Sequence, residues 1–401
     1  MSQTQQSARH FAPIDFRTRF PALDGLRALA ICAVFADHYG GGSHGGKILN
    51  LINLLRGYGG FGVDLFFVLS GFLITGILYD TLGDSRYFFR FFARRSLRIF
   101  PIYYLVFAVL LLLTPIVLYQ WHWGHALFLI YMGNFLGNYD FSYYSIESQR
   151  SHMLLANIGH FWSLCVEEQF YMLWPIAVFL LRKRRNIFIA GVTISLIAIA
   201  LRAAEVAWQG PMVAERWIIR TLPFRMDALL IGGMLALLLR GPNADRIQRS
   251  CKWVFLAGAA ASISVFVLSP EYDSPWRLIP GLTFIALAFA GLIGSTLRVG
   301  SPAYRIFNLK PLRILGKYSY GFYIYHLLFR WVWIEFLVWC AAKFHSMALA
   351  GIVALSTNFI VTFLVSKISY DYFESRFLRY KVHFEYDREL ASHRHAFVTK
   401  S

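Results

Sequence analysis

Ten apolar stretches, each long enough to cross a lipid bilayer, constrain the fold of this chain more than any other feature. A membrane-spanning helix needs about 20 predominantly apolar residues. The stretches cover residues 23–40, 59–80, 99–119, 163–181, 187–203, 217–239, 253–268, 278–296, 315–340 and 347–367. Because the backbone finds no water inside lipid, each stretch is expected to satisfy its own hydrogen bonds as a helix. The sequence therefore predicts an all-α, polytopic membrane protein, a bundle of about ten transmembrane helices.

The composition agrees with a membrane protein and excludes other classes. The 401 residues are 57% hydrophobic and 17% aromatic, well above an ordinary soluble domain. In a soluble protein the net charge of +17 would suggest nucleic acid. Here the charges lie in short loops between apolar stretches, so the predicted partner is the lipid bilayer and not nucleic acid. Four scattered cysteines without CxxC spacing predict neither a disulfide nor a metal site.

The distribution of lysine and arginine predicts the orientation of the bundle, because cytoplasmic loops are enriched in both. With both termini in the cytoplasm, 28 of the 39 lysines and arginines fall on the cytoplasmic side and 9 outside. The chain then divides into a cytoplasmic arm (1–22), a membrane domain (23–368) and a cytoplasmic tail (369–401). Residues 121–136 are apolar but short, which favours a re-entrant or interfacial segment. The polar N-terminus shows no cleavable signal.

Within the first span, an arginine and a histidine share one helix face. Arg27 and His38 are eleven residues apart, close to a whole number of helical turns, and roughly 16 Å apart along the axis. Ionisable groups inside a membrane helix are costly and usually line a cavity or a reaction path. The first span therefore carries a charged group near one membrane face and a proton-handling group toward the other.

The remaining polar residues sort by depth under this topology. Toward the outer side lie His38, Asp64, His160, Glu167 and Glu168. Toward the cytoplasm lie Asp24, Arg27, Arg90, Arg94, Arg95 and Arg98. His326 falls in the middle of the ninth stretch, after an aromatic run. These residues are the candidates for a functional site.

The arginine cluster has a purely structural explanation as well as a functional one. Basic inner loops are the norm in membrane proteins and bind anionic lipid. Arg94 and Arg98, or Arg95 and Arg98, nevertheless lie one helical turn apart and face the same way. Such a pair of guanidinium forks suits a phosphorylated ligand.

The histidines and glutamates differ in how readily packing alone explains them. His326 is equally well explained as a core histidine bonded to a tyrosine hydroxyl. Glu167 and Glu168 either mark the membrane interface or belong to the site. His38 is the hardest to explain structurally, because a buried histidine on the Arg27 face has few structural uses.

Four sequence blocks are specific when taken together. They are Leu23–Ala28 with His38, Gly62–Asp64 with Ser70–Ile74, Arg94–Pro101, and Trp162–Tyr171. The combination, from about residue 20 to 375, resembles the acyltransferase-3 family of integral membrane enzymes that O-acylate carbohydrates and other acceptors. The resemblance implies a ten-helix bundle in a bacterial cytoplasmic (inner) membrane. It also implies an acyl-coenzyme A donor from the cytoplasm and an acceptor met at the outer face.

The resemblance assigns the family's functional motifs residue by residue. In chain order the matches are the arginine Arg27, the essential histidine His38, the RxxR pair Arg95 and Arg98, the acidic pair Glu167 and Glu168, and a recurrent histidine, His326. The final acidic block at Glu374 lacks the family's usual proline, which weakens that match. Many relatives carry a further soluble esterase-like domain. Because this chain ends before one, we expect it to act alone or with a periplasmic partner protein.

The polar residues and the family resemblance predict the same reaction. An acyl group, most simply acetyl, is transferred from acyl-coenzyme A to a hydroxyl. The acceptor is a cell-envelope glycan, a lipid-linked sugar or a glycolipid. His38 acts either as the base or as a transient acyl acceptor, and the sequence leaves both open. Arg95 and Arg98, together with Arg94, are expected to bind the coenzyme A phosphates. Arg27 is expected to steer the acyl-pantetheine arm or polarise the thioester carbonyl.

The other candidates are assigned to the acceptor side. Glu167 or Glu168 is expected to orient the histidine or the acceptor, and Asp64, His160 and His326 to bind the acceptor. No permanently bound cofactor and no metal is expected.

Two other classes fit part of the pattern. A proton-coupled transporter would also place histidine, arginine and glutamate inside a bundle, without phosphate-binding arginines. A non-catalytic scaffold would explain the spans. It would not explain why Arg27 and His38, whose side chains are unfavourable inside a membrane, are present in the first span.

Overall fold

The computed structural model of the protein is built from helices, as the apolar stretches predict. The structure describes residues 20–39, 60–117, 121, 123–136, 157–269, 271 and 273–386. Every regular element in these ranges is helical. The predicted N-terminal arm up to residue 19 and the tail beyond residue 386 lie outside the described residues.

Sixteen α-helices make up the described part of the chain. In order they are α1 (Pro21–Tyr39), α2 (Phe61–Asp80), α3 (Tyr87–Val117), α4 (Trp123–Leu129), α5 (Trp162–Leu181), α6 (Arg184–Gln209), α7 (Pro211–Arg220), α8 (Leu222–Leu238), α9 (Ala244–Leu268), α10 (Leu282–Thr296), α11 (Pro302–Phe307), α12 (Lys310–Lys317), α13 (Ser319–Tyr325), α14 (Arg330–Phe344), α15 (Met347–Ser369) and α16 (Ser375–Arg379). Seven of the helical segments described are long and apolar enough to cross a membrane, and the α7–α8 pair, bent by 51°, brings the number to eight. The prediction of an all-α membrane protein is confirmed.

The prediction of one continuous ninth span over 315–340 is wrong. That stretch is divided among α12, α13 and α14, with a turn at 326–329 between the last two. Inside this turn the amides of Leu328 and Arg330 bond to carbonyls three residues back. The Leu328 carbonyl, released from the helical ladder, accepts a hydrogen bond of 3.0 Å from the amide of Asn157. An unwound segment inside a membrane bundle is stable when its backbone groups find partners in this way.

The structure adds detail to two other predicted segments. α3 begins at Tyr87, well before the predicted start at 99, so the arginine cluster lies on the same helix as the span. Residues 121–136 contain the short helix α4, which is held to α3 because the Tyr103 hydroxyl donates to the Phe128 carbonyl at 2.7 Å. This segment is too short to cross a membrane.

The helices around the candidate residues pack very closely. α1 packs along α12 and α2, and α2 packs along α8. A Cβ added at Gly71 of α2 would lie 1.7 Å from the Leu229 carbonyl oxygen, and one at Gly232 of α8 would lie 2.0 Å from the Val68 carbonyl oxygen. Helices in lipid associate through such small residues, since lipid removes the hydrophobic drive to pair. This packing places α1, α2 and α8 around one interior region.

Candidate active site

Two neighbouring cavities inside the bundle hold nearly all of the residues that the sequence selects. The first, called the arginine cavity here, has about 850 Å³ of empty space, including its opening to solvent. Its polar lining consists of Arg27, Ser70, Arg95, Arg98, Ser163, Glu167, Glu168, Tyr171, Ser319, Tyr320 and Tyr323. The second, called the histidine cavity, has about 970 Å³. Its charged and imidazole lining consists of Asp37, His38, Asp64, His160, Glu215, Arg220, Arg225 and Arg277.

In the arginine cavity, Arg95 is held in place by α5. Its guanidinium lies 4.0 Å from the centre of the Tyr171 ring and donates a hydrogen bond to the Tyr171 hydroxyl. That hydroxyl donates in turn to the Glu167 carboxylate at 3.0 Å and is bonded to the Ser70 hydroxyl. Because Glu167 and Tyr171 are four residues apart on a helix, they lie on the same face and act on Arg95 together.

Arg98 and Arg27 bring two more guanidinium groups to this cavity. Arg27 forms an ion pair of 2.7 Å with Asp24, one turn earlier on α1. Arg98 lies one turn after Arg95, and among the described residues it makes no hydrogen bond or ion pair. Its charge interacts with Arg27, Arg95 and Glu374 at longer range. A guanidinium in a cavity beside two others is suited to an anionic ligand.

Arg94, the third arginine predicted for phosphate binding, does not line this cavity. Its guanidinium donates to the carbonyls of Lys381 and Phe384, at 3.2 Å in each case. It also lies 5.3 Å from the centre of the Tyr386 ring. Arg94 therefore ties the segment after α16 to α3, and its guanidinium is engaged outside the cavity that Arg95 and Arg98 line.

The two glutamates lie in a different cavity from the one their predicted depth implies. Both Glu167 and Glu168 line the arginine cavity, whereas His160 lines the histidine cavity. The reason is helical rise, since seven residues of helix carry Glu167 roughly 10 Å beyond His160. Glu168 is buried, and its Oε1 atom has no hydrogen-bond partner among the described residues.

Three histidines from distant parts of the chain meet beside the histidine cavity. The Nδ1 atom of His38 lies 2.9 Å from the Val34 carbonyl oxygen and 3.2 Å from Nε2 of His326. The Nδ1 atom of His326 lies 2.7 Å from the Tyr323 carbonyl oxygen. The ring centres of His326 and His160 are 4.9 Å apart. His326 thus lies between the other two imidazoles.

These contacts determine the tautomers of the neutral His38–His326 pair. A carbonyl oxygen only accepts hydrogen bonds, so the Nδ1 atoms of His38 and His326 both carry the proton. Nε2 of His326 is then an acceptor for the N–H of His38. The remaining nitrogen of His38, Nε2, carries no proton and is available as a base. One ring nitrogen held by a neighbour while the other reacts is the usual arrangement of a catalytic imidazole.

His160 and Tyr323 are joined by a second set of hydrogen bonds. The Tyr323 hydroxyl donates to the His160 carbonyl at 2.7 Å and is bonded to the Ser163 hydroxyl at 2.5 Å. Nε2 of His160 lies 3.3 Å from the Ile324 carbonyl, while its Nδ1 atom is buried with no partner among the described residues. The loop before α5 is thereby bonded to α13.

Asp64 and three other charged residues form a buried charge network that joins α2, α6 and α8. The Asp64 carboxylate accepts a hydrogen bond from Arg225, and both side chains are only 3% exposed. Arg202 forms an ion pair of 2.8 Å with Asp227 and donates to Thr283 at 2.6 Å. The sequence reasoning missed Arg202 and Asp227. An arginine and an aspartate two residues apart in one span, as in Arg225 and Asp227, were the signal that could have revealed them.

Three further charged residues of the histidine cavity were also missed. Glu215 and Arg220 lie on α7, and Arg277 lies in the π-helical turn before α10, with its guanidinium 4.6 Å from the centre of the Phe266 ring. All three fall at the ends of predicted spans, where charged residues are common and carry little signal.

The arrangement as a whole suits group transfer between two ligands that lie in adjoining cavities. One cavity offers guanidinium groups, and the adjoining one offers an imidazole with a free nitrogen. The family model described as an acyltransferase domain matches residues 20–367 of this chain. The chain belongs to the acyltransferase-3 family. The resemblance inferred from the four sequence blocks is confirmed.

Bacterial O-acetyltransferases are among the proteins whose sequences are similar to this chain. The chain is 30% identical over 323 residues to "Peptidoglycan O-acetyltransferase OatA" of Listeria monocytogenes, a match that covers 77% of this chain and 49% of the relative. It is 30% identical over 324 residues to "O-acetyltransferase OatA" of Staphylococcus aureus, covering 76% and 50%. The chain therefore spans about half the length of the curated relatives it matches. No solved structure matches it.

Proposed function

We propose that this protein transfers an acyl group, in the first instance acetyl, from acyl-coenzyme A to a hydroxyl of a cell-envelope glycan. One observation carries the proposal. A cavity with an unpaired guanidinium adjoins a cavity that contains an imidazole with a free Nε2 atom. A phosphorylated donor and a hydroxyl acceptor need these two environments side by side.

Donor binding is assigned to the arginine cavity. Arg98, which has no partner among the described residues, would bind a coenzyme A phosphate through two parallel hydrogen bonds. Arg95 would add a second guanidinium one turn away, kept in position by Tyr171 and Glu167. Arg27 lies on the same wall and on the helix that carries His38, so it is placed to contact the pantetheine arm.

The chemical step is assigned to Nε2 of His38. As a general base it takes the proton of the acceptor hydroxyl while that oxygen attacks the thioester carbonyl carbon. The carbon–sulfur bond then breaks, and the departing coenzyme A thiolate takes the proton back from the imidazolium. In the other route Nε2 attacks the carbonyl carbon first and coenzyme A leaves as the thiolate, which gives an acyl-imidazolium. The acceptor hydroxyl then attacks the acyl carbon, the carbon–nitrogen bond breaks to restore the neutral imidazole, and the hydroxyl proton goes to the thiolate.

His326 is proposed as a positioning residue and not as a direct acceptor ligand. Its Nε2 atom accepts from Nδ1 of His38, which keeps the reactive nitrogen of His38 free of its proton. The same contact stabilises the imidazolium that forms when His38 takes a proton, as the third member of a catalytic triad does.

The acceptor is assigned to the histidine cavity. Its wall alternates carboxylates and guanidiniums with the rings of Trp162 and Phe266, a mixture that suits sugar hydroxyls and sugar faces. Asp64 and His160 also line it, in agreement with the acceptor role expected for them. The Listeria relative is named a peptidoglycan O-acetyltransferase, so peptidoglycan is the acceptor to test first.

Orientation follows from charge and from the direction of α1. The lysine and arginine asymmetry favours cytoplasmic termini, which places Arg27 nearer the cytoplasm than His38. The arginine cavity would then face the soluble acyl-coenzyme A of the cytoplasm. The histidine cavity would face the outer side of the inner membrane, where glycans and a periplasmic partner protein are available.

The decisive experiment uses the purified protein in liposomes with acetyl-coenzyme A labelled in the acetyl group. Peptidoglycan fragments are supplied on the opposite side, and the label is followed into the glycan by mass spectrometry. We expect label transfer by the wild type and none by His38→Ala. Release of free coenzyme A without labelled glycan would show that the acyl group passes to water or stays on the enzyme, and that these fragments are not the acceptor. Proton-driven solute movement that needs no coenzyme A would establish the transporter alternative instead.

A further inference from the structure

Two residues line both cavities, and they define the boundary between donor and acceptor. Val63 of α2 and Tyr323 of α13 contribute to the arginine cavity and to the histidine cavity alike. Both are nearly buried, at 8% and 5% exposure, so each packs against neighbouring residues over most of its surface. Phe66, one turn after Val63, lies with its ring edge toward Tyr323, 6.2 Å between centres.

Val63 is held by the crossing of α1 and α2. A Cβ added at the preceding Gly62 would lie 2.3 Å from the Ala30 carbonyl oxygen and 2.9 Å from Cγ2 of Val34. The two helix backbones therefore meet next to Val63. A valine at such a crossing also has few rotamers, since its Cβ is branched.

Tyr323 is held from the other side by hydrogen bonds. Its hydroxyl donates to the His160 carbonyl at 2.7 Å and is bonded to the Ser163 hydroxyl at 2.5 Å. Both partners belong to the segment that begins α5. The boundary therefore has one wall set by helix packing and one wall set by hydrogen bonds.

The role of this boundary in the reaction rests on the proposed function. If the coenzyme A phosphates bind at Arg95 and Arg98 while His38 acts from the other cavity, the thioester has to reach the boundary between them. The acyl group then passes Val63 and Tyr323 before its carbonyl carbon meets the acceptor. A passage between a fixed valine and a tethered ring discriminates by size.

We propose that Val63 and Tyr323 form an aperture that sets the length of the acyl group this enzyme transfers. Val63 is the residue that determines the width, and the Tyr323 hydroxyl keeps the opposite wall in place. The wild type is therefore selective for acetyl over longer chains. Removing two methyl groups at position 63 would admit chains that the native aperture excludes.

The test compares acetyl-coenzyme A and butyryl-coenzyme A as donors for the purified full-length protein. We expect Val63→Ala to raise the butyryl-to-acetyl ratio of kcat/KM by roughly tenfold or more, the range for extra methylenes in a confined apolar site. Tyr323→Phe keeps the ring but loses both hydrogen bonds, and it should raise the ratio by a smaller factor. Val68→Ala is the matched control, because Val68 is a buried valine of the same helix that lines neither cavity.

The outcomes separate the two proposals. A wild type that transfers no acyl group from coenzyme A to any glycan overturns the proposed function itself. A wild type that transfers acetyl and butyryl equally well overturns the aperture alone. The aperture is also overturned if Val63→Ala and Tyr323→Phe, both monodisperse, keep the wild-type ratio, or if Val68→Ala changes it as much as Val63→Ala does.

Discussion

At the residue scale, the proposed chemistry depends on which nitrogen of His38 carries the proton. Nδ1 of His38 faces a carbonyl oxygen and the Nε2 atom of His326, so the proton of a neutral His38 lies on Nδ1 and its Nε2 is bare. A histidine with the opposite tautomer would offer the acceptor hydroxyl a donor instead of a base. In the proposed mechanism, Val34 and His326 therefore act through the ring that they hold.

Replacing His38 by alanine is expected to abolish acyl transfer while the protein still accumulates. A base contributes a factor on the order of a hundred or more to the rate, and removal of an imidazole from a cavity wall costs little in packing. The measurement is transfer of labelled acetyl by purified protein, with size-exclusion behaviour as the control. Near-normal turnover in this variant would move the reacting centre to His160 or His326.

Replacing His326 tests whether it positions His38 or only fills space. His326→Ala should lower kcat by roughly tenfold to a hundredfold and alter the pH profile of kcat, with donor affinity unchanged. His326→Gln offers an amide oxygen to the N–H of His38 and should restore most of the rate. An equal loss in the two variants, with the wild-type pH profile in both, would reduce His326 to a packing residue.

At the scale of single elements, the arginines of α3 have two different sets of contacts. Arg95 and Arg98 face the arginine cavity, while Arg94 bonds to the backbone of the segment after α16. The adjacent positions 94 and 95 diverge because each residue of a helix is rotated by about 100° from the one before. Only the packing of α3 against its neighbours shows which of its arginines line the cavity.

The Arg95→Ala, Arg98→Ala double variant is expected to weaken acetyl-coenzyme A binding by roughly a hundredfold or more. Each charge-assisted hydrogen bond contributes about 1.5–3 kcal/mol. Lysine at both positions should recover part of the loss, because it keeps the charge without the guanidinium fork. Direct binding to protein in detergent is the measurement, and Arg94→Ala is the matched control with unchanged affinity. Wild-type affinity in a folded double variant would leave the pair as a topological anchor only.

The contact between α2 and α8 depends on a charge pair as well as on glycines. Arg225→Ala would leave the Asp64 carboxylate buried without its partner, which costs about 3–5 kcal/mol when no other group compensates. We expect a lower midpoint of thermal unfolding in detergent. The Asp64→Asn, Arg225→Gln double variant should regain stability but not activity, because Asp64 lines the histidine cavity. Unchanged stability of Arg225→Ala would show that the pair contributes nothing to helix packing.

At the scale of the whole molecule, the proposed function describes a path through the bundle. In that proposal the guanidiniums of α1 and α3 bind the donor, and Val63 of α2 with Tyr323 of α13 forms the aperture. The histidines of α1 and of the segments before α5 and after α13 lie on the acceptor side. The polar residues are costly in lipid, and the structure places them against one another or in cavities instead of at the lipid-facing surface. This is the arrangement expected when a reaction joins a water-soluble donor to an acceptor on the other side of a membrane.

Reporter fusions test the orientation of the whole bundle. Fusions after residues near 90, 245 and 385 should report the cytoplasm, and fusions near 50, 145 and 272 should report the outside. The reason is the excess of lysine and arginine on one side, 28 against 9. The positions near 50 and 145 lie outside the described residues, so the expectation there rests on sequence alone. An external signal at residue 90 would reverse the assignment of the donor side.

The sequence by itself determined the fold class, the family and most of the candidate residues. Apolar length, helical period and the spacing of Arg27 and His38 are properties of neighbouring residues, and they can be read directly from the chain. The break at 326–329 was not predicted, because the ninth stretch contains no proline to mark it. Its released Leu328 carbonyl is satisfied by Asn157, which lies far away in sequence.

Only the tertiary structure decided which residues act together. His38 meets His326 across 288 residues, and Arg225 meets Asp64 across 161. The position of Arg94 away from the arginine cavity, the placement of Glu167 beside Arg95, and the two residues shared by both cavities depend on how helices rotate and cross. Those rotations are set by close contacts such as that of Gly62 with Ala30. Contacts of this kind arise from the packing of the whole bundle and leave no periodic trace in any one segment of sequence.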